Sequence, residues 1–170
     1  MRYFSGFCLS NEEELFNFWL EKSDFAVAGF SYGAIKAFEY ALNCKERIDR
    51  LILLSPAFFN DKDEKFKRLQ LLYFDKDKKS YINNFLKNIT LGANVDIKNY
   101  FKEGSKEELK ELLYYKWNRD KLKELKNKDI TLEVVLGGQD KIINTKAAKD
   151  FFEDFGVIYY IKEANHLLIS

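Results

Sequence analysis

Apolar residues along the chain fall into short uncharged runs, separated by longer stretches in which they recur at helical spacing. Tyr3 to Phe7 reads as a short strand running into a glycine turn. Ser10, with Glu13 three residues on, predicts a capping box and a helix to about Lys22. Phe25-Ala26-Val27-Ala28, Leu51-Ile52-Leu53-Leu54, Thr131 to Leu136 and Val157 to Ile161 have the character of parallel strands covered on both faces. After Gly33, the residues Ala34, Ala37, Phe38, Ala41 and Leu42 form one helical stripe, and Ala147, Ala148, Phe151, Phe152 and Phe155 form another in a helix begun near Thr145. Strands alternating with helices imply an α/β fold, with a mostly parallel sheet, right-handed crossovers and helices on both faces.

Between Ala57 and Asp129 the strand-like runs vanish and charged amphipathic helices take over, one of them opened by the pair Ser105 and Glu108. Apolar residues such as Phe66, Leu69, Leu72, Leu112 and Trp117 are too frequent there for a disordered linker. We therefore expect residues 57–129 to be a helical lid insertion within a single domain spanning 1–170. A chain of 170 residues with 46% hydrophobic content can fill one core of that kind.

Charge and cysteine usage narrow the possible partners. Lys and Arg total 28 against 27 Asp and Glu, so the whole chain offers no electrostatic argument for nucleic acid or an anionic membrane. No apolar run approaches the ~18 residues of a membrane span, and the start lacks a signal-peptide pattern, so the expected location is cytoplasmic. Cys8 and Cys44 lack C-x-x-C spacing and share the chain with a single histidine, which rules out an ordinary zinc site. Both are read as reduced, packing cysteines, and no metal or cofactor is expected. The sequence carries no signal of oligomeric state.

The chemistry concentrates in three places. Gly29-Phe30-Ser31-Tyr32-Gly33 matches G-x-S-x-G, directly after a buried strand and directly before a helix. The glycines give room for a sharp turn that exposes the Ser31 hydroxyl, and the turn sets the Tyr32 amide at a helix N-terminus, where it can bind an oxyanion. A serine hydroxyl needs a base at neutral pH, and the only histidine, His166, lies just beyond the last predicted strand. Asp140 leaves the strand Thr131 to Leu136 through Gly137 and Gly138 and can orient that histidine. Asp150 and Asp154 compete for this role, but their positions in the next helix suit solvated charges. The Phe7 amide, in the loop after the first strand, is our expected second oxyanion donor.

The order serine, aspartate, histidine, each after a strand, resembles that of α/β-hydrolases. Four stretches narrow the resemblance to compact pimeloyl-acyl-carrier-protein methyl ester esterases of biotin synthesis: Arg2 to Phe7, Phe30 to Ala37, Phe66 to Gln70, and Asn165 to Leu168. It implies a trimmed α/β-hydrolase fold lacking roughly two to four of the usual sheet strands, triad roles for Ser31, Asp140 and His166, and an oxyanion role for Tyr32. It also implies that the methyl cap is removed from a pimeloyl chain held on an acyl-carrier protein. The usual His-Gly of the first loop is Ser-Gly here. Residues 57–129 hold 18 Lys and Arg against 13 Asp and Glu, a net +5, whereas the remainder is net −4. A cationic lid would steer an acidic carrier towards Ser31, with Lys65, Lys67, Arg68, Lys76, Lys78 and Lys79 as candidate contacts. Two alternatives stay open: a short-chain carboxylesterase or thioesterase without carrier preference, and a non-catalytic acyl-binding module on a hydrolase scaffold.

Overall fold

A computed structural model of the chain describes residues 1–20 and 22–170. Five parallel strands, β1 (Arg2–Phe4), β2 (Ala26–Phe30), β3 (Arg50–Leu54), β4 (Thr131–Gly137) and β5 (Val157–Ile161), lie side by side in chain order. The central strands read as continuous apolar runs because both faces are covered: Val27, Leu51, Leu53 and Val134 join one core layer, and Ala28, Phe30, Ile52 and Leu54 join the other. Leu51 to Leu54 are wholly buried, each contributing about 2 kcal/mol by removing apolar surface from water.

One core layer is closed by α1 (Tyr32–Asn43), α5 (Arg119–Asn127) and α6 (Thr145–Phe152), with Trp117 packed among them. The other is covered by a short 3-10 helix, Glu12–Phe16, by Ile89 and Ile97, and by the segment from Leu167 to Ile169. The intervening residues 57–129 contain no strand and hold α2 (Glu64–Lys76), α3 (Lys78–Ile89), α4 (Lys106–Tyr114) and α5. Asn60, near the start of this segment, ties it to the turn before α5, since its side chain donates to the Trp117 carbonyl at 2.9 Å and accepts from the Trp117 amide at 3.0 Å. The capping box expected at α4 forms, with Ser105 Oγ accepting from the Glu108 amide and Glu108 Oε2 accepting from the Ser105 amide. Among the described residues, no helix is long and apolar enough to cross a membrane.

The first 20 residues depart from the sequence expectation. β1 stops at Phe4, and Ser5 to Phe7 turn away from the sheet, the Leu9 amide closing the turn on the Gly6 carbonyl. The helix expected from Ser10 is reduced to the 3-10 turn, and the Ser10–Glu13 capping box does not form: Asn11, at φ 58, precedes the turn without a side-chain cap. Glu12 is drawn fully inside instead, accepting from the Tyr3 hydroxyl at 3.0 Å and the Gly6 amide at 2.8 Å. A tertiary contact of this kind overrides a local helix signal. Glu21, within the expected helix, lies outside the described residues.

Candidate active site

β2 ends at Phe30 and α1 begins at Tyr32, which leaves Ser31 alone in the turn at φ 53 and ψ −114. That backbone costs a non-glycine residue roughly 1–3 kcal/mol. It is held from two sides, since the Ser31 amide donates to the Leu54 carbonyl at 2.9 Å and the Ser31 carbonyl accepts from the Ala57 amide at 3.1 Å. A Cβ at Gly29 would stand 2.2 Å from the Gly33 carbonyl oxygen, and one at Gly33 would stand 1.9 Å from the Phe4 carbonyl oxygen. The glycines are therefore what lets β1 and the start of α1 close around the serine.

The imidazole reaches that serine from the far end of the sheet. His166 Nε2 lies 3.0 Å from Ser31 Oγ, and His166 Nδ1 lies 2.6 Å from Asp140 Oδ2. The side chains of His166 and Asp140 are both fully buried. An ionised carboxylate can only accept, so Nδ1 carries the proton and Nε2 is left to accept from the serine hydroxyl. Asp140 is fixed in turn, because Oδ1 accepts from the amides of Ile142 at 2.7 Å and Ile143 at 3.1 Å. The two loops approach closely where Gly137 leaves β4, with room for a Cβ denied by the Asn165 carbonyl oxygen at 2.2 Å. Of the competing acids, Asp150 is exposed on α6 and Asp154 pairs with Arg119.

Two further residues hold the imidazole, and sequence reasoning missed both. Ser55, buried at φ 40 just past β3, donates its hydroxyl to the His166 carbonyl at 2.7 Å. The Phe30 ring packs on the imidazole at 5.0 Å between centroids. The usable signal for Ser55 was its place at the carboxyl end of a parallel strand, where such sheets gather their functional groups.

Among the described residues, the amides of Tyr32 and Phe7 donate to no protein acceptor, as an oxyanion site requires. The Tyr32 hydroxyl donates to Glu111, which ties the elbow to α4; burial first, then this carboxylate, keeps the phenol protonated. Ser31 and Phe7 open onto a cavity of about 350 Å³ walled by α2, α3 and α4, mostly by apolar residues such as Phe59, Phe66, Phe85, Leu109 and Leu113. Among the described residues, Lys141 is the sole charged one in its lining. Tyr81 borders the cavity as a neutral phenol, pushed up to about 12 by burial, and donates to Gln70. Cys8 and Cys44 are free thiols, and burial pushes Cys8 up to about 12.

The insertion's candidate cations have different surroundings. Lys65 and Lys76 are exposed on α2. Lys67 sits over the Tyr114 ring at 5.5 Å, Arg68 pairs with Glu64 at 3.0 Å, and Lys78 pairs with Glu103 at 2.6 Å. Lys79 is exposed at the start of α3.

No protein-family model matches the chain, and no curated protein matches it in sequence. Solved structures do match. An esterase from Exiguobacterium antarcticum aligns at a TM-score of 0.67 and 18% identity, over 82% of this chain and 58% of its own. Carboxylesterase CesB from Bacillus subtilis aligns at 0.53 and 18% identity, over 92% and 57%. BioG from Haemophilus influenzae aligns at 0.60 and 13% identity, over 97% of this chain and 87% of its own. The chain thus spans less than two thirds of the first two, and nearly the whole of the third. The sheet, the elbow and these alignments agree, and the chain has the α/β-hydrolase fold.

Proposed function

We propose that this chain is a serine carboxylesterase working through an acyl-enzyme, with Ser31 as nucleophile, His166 as general base and Asp140 as the residue that orients the imidazole. One observation carries the reading: the continuous row from Asp140 Oδ2 through His166 to Ser31 Oγ, at 2.6 and 3.0 Å. His166 Nε2 takes the hydroxyl proton while Oγ attacks the ester carbonyl, and the Tyr32 and Phe7 amides hold the oxyanion. The tetrahedral intermediate collapses, and the alkoxide leaves as alcohol with the proton from the imidazolium. Water, deprotonated by the same nitrogen, then adds to the acyl-enzyme and releases the carboxylic acid with Ser31 restored.

The substrate we assign is the methyl ester of a pimeloyl chain on an acyl-carrier protein, hydrolysed to free pimeloyl-carrier and methanol in biotin synthesis. The resemblance of the elbow and of the Asn165 to Leu168 segment supports it, as does a cavity whose apolar walls suit an aliphatic chain. In this reading α2, α3 and α4 form the lid, and its net positive charge meets the acidic carrier. The direct test is incubation with pimeloyl-carrier methyl ester, following loss of the methyl group. A fluorophosphonate should label wild-type protein and spare Ser31→Ala. Folded wild type that takes no label would leave an acyl-binding module as the better account.

The engaged state of Lys67, Arg68 and Lys78 favours a second reading, a short-chain carboxylesterase or thioesterase indifferent to the carrier. Equal kcat/KM for the carrier-bound ester and a free short-chain ester would select it.

A further inference from the structure

Beneath the loop that carries the Phe7 amide lies a buried carboxylate that the chemistry above does not use. Glu12 is fully buried, and its Oε1 accepts from the Gly6 amide at 2.8 Å and from the Tyr3 hydroxyl at 3.0 Å. We propose that Glu12 is a positioning residue for ester hydrolysis, which fixes the Gly6 amide and so aims the following N–H, that of Phe7, at the oxyanion. The inference rests on the esterase reading above and adds to it.

The loop is held at three points, and they differ in kind. The Leu9 amide donates to the Gly6 carbonyl at 3.2 Å, and the Lys102 amide donates to the Cys8 carbonyl at 3.0 Å. The first holds the Gly6–Phe7 peptide through its carbonyl, and the second ties the loop down beyond it; both are backbone contacts. The Glu12 bond is the side-chain contact, made by the residue immediately before Phe7 in the loop. The Phe7 ring is 2% exposed, packs edge-on against Phe85 of α3 at 5.3 Å and borders the cavity with Ser31. A shift at Gly6 would therefore move the donor and the cavity wall together.

Stability alone does not account for a carboxylate at this place. Glu12 Oε2 is buried with no hydrogen-bond partner among the described residues, and burying a half-satisfied carboxylate weakens a fold relative to an apolar side chain of similar size. A residue that breaks a packing rule beside a reacting group is where function is expected to override stability. Tyr3 supplies the second donor from β1, and burial, then the Glu12 charge, keeps its hydroxyl protonated.

The test compares Glu12→Leu, Glu12→Gln and Tyr3→Phe with wild type and Ser31→Ala on a small chromogenic ester. In Glu12→Leu, kcat should fall about 10- to 100-fold with KM nearly unchanged, the signature of a misaimed transition-state donor. Glu12→Gln, whose amide oxygen still accepts from Gly6, should recover most of the loss. Tyr3→Phe removes the other bond to the same oxygen and should lower Tm while keeping kcat close to wild type. Wild-type kcat in folded Glu12→Leu, or a loss in Tyr3→Phe equal to that in Glu12→Leu, would overturn the proposal. Should Glu12→Leu not fold, Glu12→Asp keeps the carboxyl group but is one methylene short, and unchanged kcat in that variant would overturn it equally. Absence of Ser31-dependent turnover in wild type would instead sink the esterase reading, and this inference with it.

Discussion

Ser31 and His166 are each held by groups from distant parts of the chain. The imidazole meets Asp140 at Nδ1, Phe30 on its face and Ser55 at its carbonyl. His166→Ala should lower kcat for ester hydrolysis by at least about 10³-fold, and Asp140→Asn by about 10²- to 10⁴-fold, because an amide in place of the carboxylate favours the wrong tautomer. Steady-state kinetics on a chromogenic ester checks both, and near-wild-type turnover in either would demand another base or acid. Ser55→Ala leaves the buried His166 carbonyl without its side-chain donor and should cost about 1–2 kcal/mol in urea denaturation, with a several-fold fall in kcat as the base loosens. Ser31 and Asp140 were legible in the sequence because their signals are local: glycines and a strand end lie within a few residues of each. Ser55 and Glu12 were not. Ser55 meets a carbonyl 111 residues away, and Glu12 contacts the Gly6 amide across a turn, so a strand end before Ser55 is the one mark either leaves in the sequence.

At the scale of elements, the elbow depends on how closely β1 and α1 approach. Gly33→Ala places a methyl group 1.9 Å from the Phe4 carbonyl oxygen, and the backbone of one element must move. Destabilisation of at least about 2–3 kcal/mol is expected, measured by denaturant titration, together with loss of fluorophosphonate labelling. Asp77 joins α2 to α3 and caps α3, its carboxylate accepting from the Ser80 amide at 3.0 Å and the Ser80 hydroxyl at 2.8 Å. The Ser80 amide, then its hydroxyl, holds that carboxyl below the usual range. Its contribution to stability is complete above the unfolded pKa of about 3.9 and is lost as pH falls through the lower folded value. Acid titration should therefore destabilise wild type more steeply than Asp77→Asn, and parallel curves for the two would contradict this. The inner strands β2, β3 and β4 were readable because burial on both faces writes itself as uninterrupted apolar runs, whereas β5, expected to be covered likewise, is an edge strand with Val157, Tyr159 and Tyr160 exposed. The Ser10 to Lys22 segment misled because its capping pair is a local signal, whereas Glu12 answers to Tyr3 and Gly6.

For the molecule as a whole, charge is divided: residues 57–129 carry a net +5 and the rest a net −4. If an acidic carrier docks on the insertion, Lys67→Glu with Arg68→Glu should slow hydrolysis of the carrier-bound ester about tenfold at low salt and flatten its salt dependence. A small neutral ester should be hydrolysed as before, and equal losses on both substrates would exclude a carrier-docking role for these cations. The overall architecture followed from the alternation of strands and helices, which survives large changes in length. The fold shared with an esterase of which this chain spans 58% places the elbow, the Asp140 loop and the His166 loop on one sheet.

The sequential strand order also carries a consequence for synthesis. Ser31 and His166 are separated by 135 residues, and the base is presented by the loop after the final strand to join the sheet. A chain growing from its amino end makes the Ser31 turn long before the His166 loop, so in the proposed esterase the serine has no base until β5 docks beside β4. If the esterase reading holds, ester turnover by the nascent polypeptide would begin only after His166 has emerged, and its onset would time the docking of β5.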